Sequence, residues 1–195
     1  MLRALTTMEP RLNHPTLPVA LAATYGLRPI CATDAAPWYD YLRDPDVVQH
    51  TSWSVSSEAQ LEAQIRAKYL GNEPDHPIRY ALTDLADDRL VGTVGLHGIV
   101  REHRHAEIAY DLAPGQWGRG LAGEACMALT RWAFAELGLV RIHAHVLDTN
   151  ARSIRVLEKC GFRFEGTLRC YRVVRGESRD FLLYARLARD LDGAA

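Results

Sequence analysis

Gly118, Gly120 and Gly123 lie in the run Gln116-Trp117-Gly118-Arg119-Gly120-Leu121-Ala122-Gly123-Glu124-Ala125, directly before a helical pattern that sets Leu121, Ala125, Leu129 and Trp132 on one face. Glycines free backbone N–H groups, and the first turn of a helix leaves its own amides unsatisfied, so the pair forms a cradle for phosphate oxygens. The chemistry implied is the grip of a pyrophosphate-bearing cofactor. Read literally, the three glycines spell G-x-G-x-x-G, the dinucleotide fingerprint, and Asp148 follows the next expected strand where a ribose-binding carboxylate could lie. The context opposes that reading. The preceding strand ends near Leu112, Ala113 to Trp117 intervene with a proline, and the loop falls past mid-chain. Fewer than about half the strands of a doubly wound sheet could follow it.

About thirty residues later comes Asn150-Ala151-Arg152-Ser153-Ile154-Arg155-Val156-Leu157-Glu158-Lys159-Cys160-Gly161-Phe162, of the form N-x-x-S…E-K-x-G-F. With these two motifs and the strand Ala106–Leu112, the chain resembles the GNAT family of N-acetyltransferases, and within it the RimJ/RimL-type ribosomal-protein N-terminal acetyltransferases. The resemblance spans roughly Tyr25 to Leu187. It implies the GNAT α/β (α+β) fold, a mixed, mostly antiparallel sheet of six to seven strands with helices on both faces. It further implies that acetyl-CoA is the co-substrate. The amides of Gly118, Arg119, Gly120, Leu121, Ala122 and Gly123 would hold its pyrophosphate, with Arg119 adding a charge-assisted contact. Backbone groups of Tyr110, Asp111 and Leu112 would meet the pantetheine or thioester, provided this strand parts from its parallel neighbour. Asn150 would bond the pantetheine arm, cap its helix, or both. His50, Trp53 and Tyr80 lie in segments that border the family's acceptor pocket; Trp53 is equally suited to a core. Two departures stand out: Leu157 occupies the position of a tyrosine general acid found in many members, and Trp117 stands where many loops carry Gln or Arg.

Acetyl transfer to an amine requires a neutral nucleophile, a polarised thioester and a proton for the departing thiolate. A free alkylamine titrates near ~10.4, so a base is needed at neutral pH. Glu107, on the central strand before the loop, is the candidate base, its carboxyl tuned upward by burial; an ion pair is the competing role. Ser153 is the candidate partner of the leaving sulfur, with local backbone bonding as its alternative. Tyr110 serves equally as a core aromatic. Backbone donors on the same strand would stabilise developing oxyanion charge. No cysteine occupies an evident nucleophile position, so transfer would be direct.

The elements needed to position these groups are legible in outline. Strands are expected at Tyr25 to Ile30, Ile78 to Thr83, Leu90 to Leu96, Ala106 to Leu112, Val140 to Leu147, Phe162 to Leu168 and Asp180 to Ala185. Helices are expected from Thr33 or Asp34 to Arg43 and from an opening at Ser56-Ser57-Glu58 to a stop at Gly71, then after the glycine loop and after Asn150. One catalytic domain over 25–187 would carry an N-terminal extension, 1–24, and a short tail, 188–195.

The 195 residues suit a single domain, and 48% apolar with 24% charged residues describes an ordinary globular chain. A net charge of −1 gives no electrostatic case for nucleic acid or a membrane surface as partner. No apolar run approaches the ~20 residues of a membrane span, and Pro18 breaks the short Leu17 to Ala23 stretch, so the cytoplasm is the expected location. Cys31, Cys126, Cys160 and Cys170 show no C-x-x-C pairing. His103 with His105, and His143 with His145, share strand faces, but no third ligand of obvious spacing completes a metal site, and none is expected. The resemblance makes homodimerisation an expectation. The partner is an amine, a protein N-terminus or a small molecule. Two rival functions stay open: an NAD-binding oxidoreductase using Asp148, and a non-catalytic acyl-CoA-binding module.

Overall fold

The computed structural model describes residues 21, 24–71 and 76–191. The expected 1–24 extension and the end of the 188–195 tail lie almost wholly outside the described residues. Seven strands form one sheet: β1 (Tyr25–Pro29), β2 (Ile78–Asp84), β3 (Leu90–Val100), β4 (His105–Leu112), β5 (Arg141–Leu147), β6 (Arg163–Val174) and β7 (Glu177–Leu187). Their order is β1-β2-β3-β4-β5-β7-β6, antiparallel throughout except for the parallel pair β4 and β5. Helices α1 (Ala35–Leu42), α2 (Pro45–Val48) and α3 (Glu58–Tyr69) precede β2; α4 (Leu121–Glu136) links β4 to β5, and α5 (Ala151–Lys159) links β5 to β6.

Strand alternation divides the core between two faces. Ala106 and Ile108 of β4 and Ile142, Ala144 and Val146 of β5 bury against Leu121, Ala125, Leu129 and Trp132 of α4 and Leu157 of α5. On the opposite face Trp38, Tyr41 and Leu42 of α1 pack with Leu61 and Ile65 of α3. The α4 sequence carries five alanines with Leu and Glu, residues that lose little freedom in a helix. Ser57 caps α3 by accepting from the Gln60 amide at 3.1 Å.

The sheet and helices agree with the expected seven strands and two covered faces. Two features differ. The short α2 is capped by Asp44 with Pro45 at its first turn, too brief to show hydrophobic periodicity. The last two strands are much longer than expected, because Arg175 and Gly176, at φ of 51° and 86°, make a two-residue hairpin turn. Three residues of β6, Arg169 to Tyr171, oppose only Asp180 between the pairs Leu168↔Phe181 and Arg172↔Arg179. Cys170 sits in this bulge at φ 51°, its amide donating to Asp180 Oδ1 at 2.8 Å.

A buried polar hub ties α1 to the centre of the sheet. Asp111 Oδ2 accepts from Thr93 Oγ1 at 2.8 Å and from Arg79 Nη2 at 3.3 Å; its Oδ1 accepts from Trp38 Nε1 at 3.1 Å and from the Tyr41 hydroxyl. Arg79 reaches Asp111 by crossing β3 at Gly95, where any Cβ would lie 2.7 Å from its Cδ. Its Nη1 also donates to the Ala109 carbonyl at 3.1 Å. With Arg79 8% and Asp111 14% exposed, removing one charge strands the other. Asp111→Ala is expected to cost about 3 kcal/mol, read as a lowered urea midpoint with unchanged slope.

Candidate active site

β4 and β5 pair at only three positions, His105↔Arg141, Ala106↔Ile142 and Glu107↔His143, and then part. β4 stays registered on β3 out to Leu112, while β5 stays registered on β7 out to Leu147. The backbone groups that β4 would have offered β5 beyond Glu107 therefore face a gap. This gap opens into a cleft of about 520 Å³. At one end lie Gly118, Gly120, Leu121, Ala122 and Gly123; at the other lie His50, Trp53, His97, Glu107, His145 and Arg172.

The glycine-loop end is built for anions. Gly120 adopts φ 83° as the residue before α4, a conformation that glycine reaches without a Cβ penalty. Gly123 and Glu124 donate to the Gly120 carbonyl at 3.0 and 3.1 Å. Among the described residues, no backbone carbonyl accepts from the amides of Gly118 to Ala122, which stay available at the positive end of the α4 dipole. Arg152, Arg155 and Lys159 add cationic side chains to the cleft lining. Trp117 braces the loop, its Nε1 donating to the Leu112 carbonyl at 3.0 Å, and the Arg152 guanidinium lies 4.4 Å from its ring centroid. Across the gap, the Tyr110 hydroxyl meets Ser153 Oγ at 2.8 Å, and Asn150 Oδ1 accepts from the Ser153 amide at 3.1 Å.

The far end is organised around one carboxylate. Glu107 Oε2 lies 3.0 Å from His145 Nδ1, Oε1 lies 3.7 Å from His97 Nε2, and Arg172 Nη2 is 3.4 Å from both oxygens. Burial by itself pushes the Glu107 carboxyl up, but the His145 contact and the charges of His97, His145 and Arg172 pull it down to about 2. His143, half-buried beside it, is pushed down to about 4 by burial and by His145, Arg141 and His105, against the opposing pull of Glu107. The His145 ring tilts against Tyr171 with centroids 4.8 Å apart.

Residues 25–163 match the acetyltransferase (GNAT) domain. The chain belongs to the GNAT acetyltransferase family. It is 32% identical over 171 residues to the uncharacterized N-acetyltransferase p20 of Bacillus licheniformis, covering 86% of this chain and 94% of that protein. A 94-residue stretch is 33% identical to the spermidine N(1)-acetyltransferase of Vibrio cholerae, covering 48% and 54% of the two chains. Among solved structures, the RimJ of Mycobacterium smegmatis in complex with CoA-disulfide superposes with a TM-score of 0.75 at 27% identity, covering 86% of this chain and 83% of that one.

Within this GNAT site the cleft gathers most residues singled out by sequence. Glu107, Tyr110, Asp111, Leu112, Gly118, Gly120, Leu121, Ala122, Gly123, Asn150, Ser153, His50 and Trp53 all line it. Arg119 is not among the lining residues; its Nη1 donates to the Tyr25 hydroxyl at 3.2 Å. Tyr80 is a correction: it is 4% exposed, edge-on to Trp132 in the α4 face of the core, so it belongs to packing and not to the acceptor side. Glu107 is a second correction, since three cationic or imidazole groups tune its carboxyl downward, not upward. Asp111 lines the cleft, yet its carboxylate is spent on the hub beneath α1.

Sequence reasoning missed His97 and Arg172, and set His145 aside with His143 as an incomplete metal pair. The paired histidines of β5 do find a third group: donor atoms of Glu107, His143 and His145 lie within 4.8 Å of one another. Arg172, 3.4 Å from both Glu107 oxygens, already neutralises that carboxylate and repels a cation. It arrives across the β6 bulge, and nothing short of the strand register announces it.

Two of the depressed groups, His143 and Glu107, contribute to the acid limb of stability. The unfolded chain takes up its His143 proton before the folded one, so stability falls as pH drops from about 6.5 toward about 4. Glu107 adds a further loss from about 4.5 toward about 2, where its folded carboxyl finally protonates. Urea midpoints measured from pH 8 to pH 3.5 should fall less between pH 6.5 and 4 in His143→Gln than in the unsubstituted protein.

Proposed function

We propose that this GNAT protein moves the acetyl group of acetyl-CoA directly to a single-amine acceptor, with the α-amine of a peptide or protein N-terminus favoured over a polyamine. The observation that carries this reading is one continuous cleft joining unsatisfied loop amides, a parted parallel strand pair and a carboxylate–imidazole group. Acetyl-CoA supplies the acetyl as a thioester. The free amides of Gly118 to Ala122, with Arg152, Arg155 and Lys159, are the donors and cations that fit its phosphates. Released amides of β4 stand ready to stabilise oxyanion charge. The Tyr110–Ser153 hydroxyl pair, held by the Asn150 cap, would supply a proton to the departing sulfur. No cysteine lines the cleft among the described residues, which supports transfer without an acyl-enzyme. All four cysteines are free thiols, which supports a cytoplasmic setting.

The acceptor end carries few carboxylates. Of the acidic residues lining the cleft, Glu107 is held by Arg172 and His145, and Asp111 by Arg79, which leaves Asp46 alone. A polyamine would bring several positive charges to His50, His97 and Arg172 with one free carboxylate to meet them. An α-amine titrates near ~7.7–8.0, so it presents far more neutral nucleophile at neutral pH than an alkylamine near ~10.4.

Acetyl-CoA and CoA at about 100 times their dissociation constants should each raise the thermal midpoint, a stabilisation of ~2.7 kcal/mol, while NADH should not. A shift with NADH alone would reverse the cofactor assignment. Gly120→Val should lose most of the acetyl-CoA shift, because a β-branched residue at φ 83° must reset the cradle. In a transfer assay, kcat/KM for short peptides with free N-termini should exceed that for spermidine by at least tenfold. Equal or higher activity on spermidine would overturn the acceptor assignment.

A further inference from the structure

We infer that His145 is the general base of the acetyl transfer and that Glu107 positions it. The inference rests on the functional reading above and names a catalytic residue within it.

The geometry begins with the 3.0 Å contact between His145 Nδ1 and Glu107 Oε2. Two lone pairs facing each other at that distance would repel, so the carboxylate selects the tautomer with the proton on Nδ1; Arg172 Nη2, 3.4 Å from the same nitrogen, then donates to the Glu107 oxygens and not to the ring. Nε2 is then the ring nitrogen with a free lone pair. Among the described residues no group bonds Nε2, and it is not one of the fully enclosed unpartnered atoms, unlike Nδ1 of His143 and of His105. His145 lines the cleft just beyond the last β4–β5 pair, Glu107↔His143, beside the mouth of the gap. Its ring is fixed on its other side by Tyr171, which the β6 bulge brings to 4.8 Å.

Glu107 is poorly placed to accept the proton itself. Its two oxygens are shared among His145, His97 and Arg172, and every one of these stabilises the carboxylate over the acid. That same network suits a positioning residue: a firm anion holds Nδ1–H and stabilises the imidazolium that forms when Nε2 takes a proton. The groups facing His145 are Glu107 from β4, His97 from β3, His143 from its own strand, and Arg172 and Tyr171 from β6.

In the step, the amine nitrogen forms a bond to the acetyl carbonyl carbon and loses one proton to His145 Nε2. The C–S bond breaks with its electron pair on sulfur. The thiolate takes a proton from solvent by way of the Ser153–Tyr110 hydroxyls, and the imidazolium returns its proton to solvent, so the balance closes as amide plus thiol.

The test compares His145→Gln, His145→Ala and Glu107→Gln with the unsubstituted protein, on a peptide α-amine. His145→Gln should lower kcat by about 10²-fold or more, with the acetyl-CoA thermal shift unchanged. Added imidazole should restore part of the rate to His145→Ala but not to His145→Gln. Glu107→Gln should lower kcat less and move the acid limb of the kcat/KM–pH profile without removing it. ¹⁵N spectra of histidine-labelled, unsubstituted protein should show His145 protonated on Nδ1. Activity within threefold of the unsubstituted protein in His145→Gln, or an Nε2–H tautomer, would overturn the base assignment while leaving acetyl transfer standing. Failure of the unsubstituted protein to acetylate any amine would overturn the functional reading and this assignment with it.

Discussion

The parting of β4 from β5 after three pairs is the constraint on which the rest of the site depends. Parallel strands running side by side for their full length would satisfy each other's backbone and close the cleft. Here each is claimed by a different antiparallel neighbour, β4 by β3 and β5 by β7. The Asp111 hub fastens the β4 lip to α1 and β2 through Trp38, Tyr41 and Arg79. The Tyr110–Ser153 contact then bridges the opened gap to α5 without filling it. A backbone that would ordinarily be spent on the sheet is thereby exposed at one place, in a wall stiff enough to keep it aimed.

Two carboxylates on the same face of β4 divide the labour. Asp111 is surrounded by neutral donors and one arginine and serves the architecture. Glu107, two turns of the pleat away, is surrounded by imidazoles and an arginine and faces the cleft. Glu107 keeps its charge in partly dry surroundings because His145, His97 and Arg172 offset the cost of its burial. The loop end works in the opposite sense, gathering free N–H groups, a helix dipole and three cationic side chains to meet an anion. The cleft thus runs from a donor-rich end to a carboxylate-centred end.

Much of this was legible in the residues. The glycine loop before Leu121 and the Asn150–Phe162 pattern depend on local φ values and helix caps, which short sequence windows carry. The seven strands were legible for the same reason, through alternation and turn residues. The end of the chain was not: the Arg175-Gly176 turn and the bulge at Cys170 extend β6 and β7, and a bulge is set by pairing across strands. Arg172 and the tilt of Tyr171 over His145 come with that bulge. The role of Glu107 was half legible, since its strand position is local but its three partners come from β3, β5 and β6. Tyr80 failed for a related reason: a one-residue choice of strand face decides between cleft and core.

The most direct test of this account is a crystal structure with a bisubstrate compound in which CoA is joined through its acetyl carbon to a peptide α-amine. The account predicts phosphates on the amides of Gly118 to Ala122, the pantetheine arm in the gap between β4 and β5, and the bridging nitrogen within hydrogen-bond reach of His145 Nε2. A bridging nitrogen seated on a Glu107 oxygen, or a pantetheine arm lying outside the gap, would contradict it.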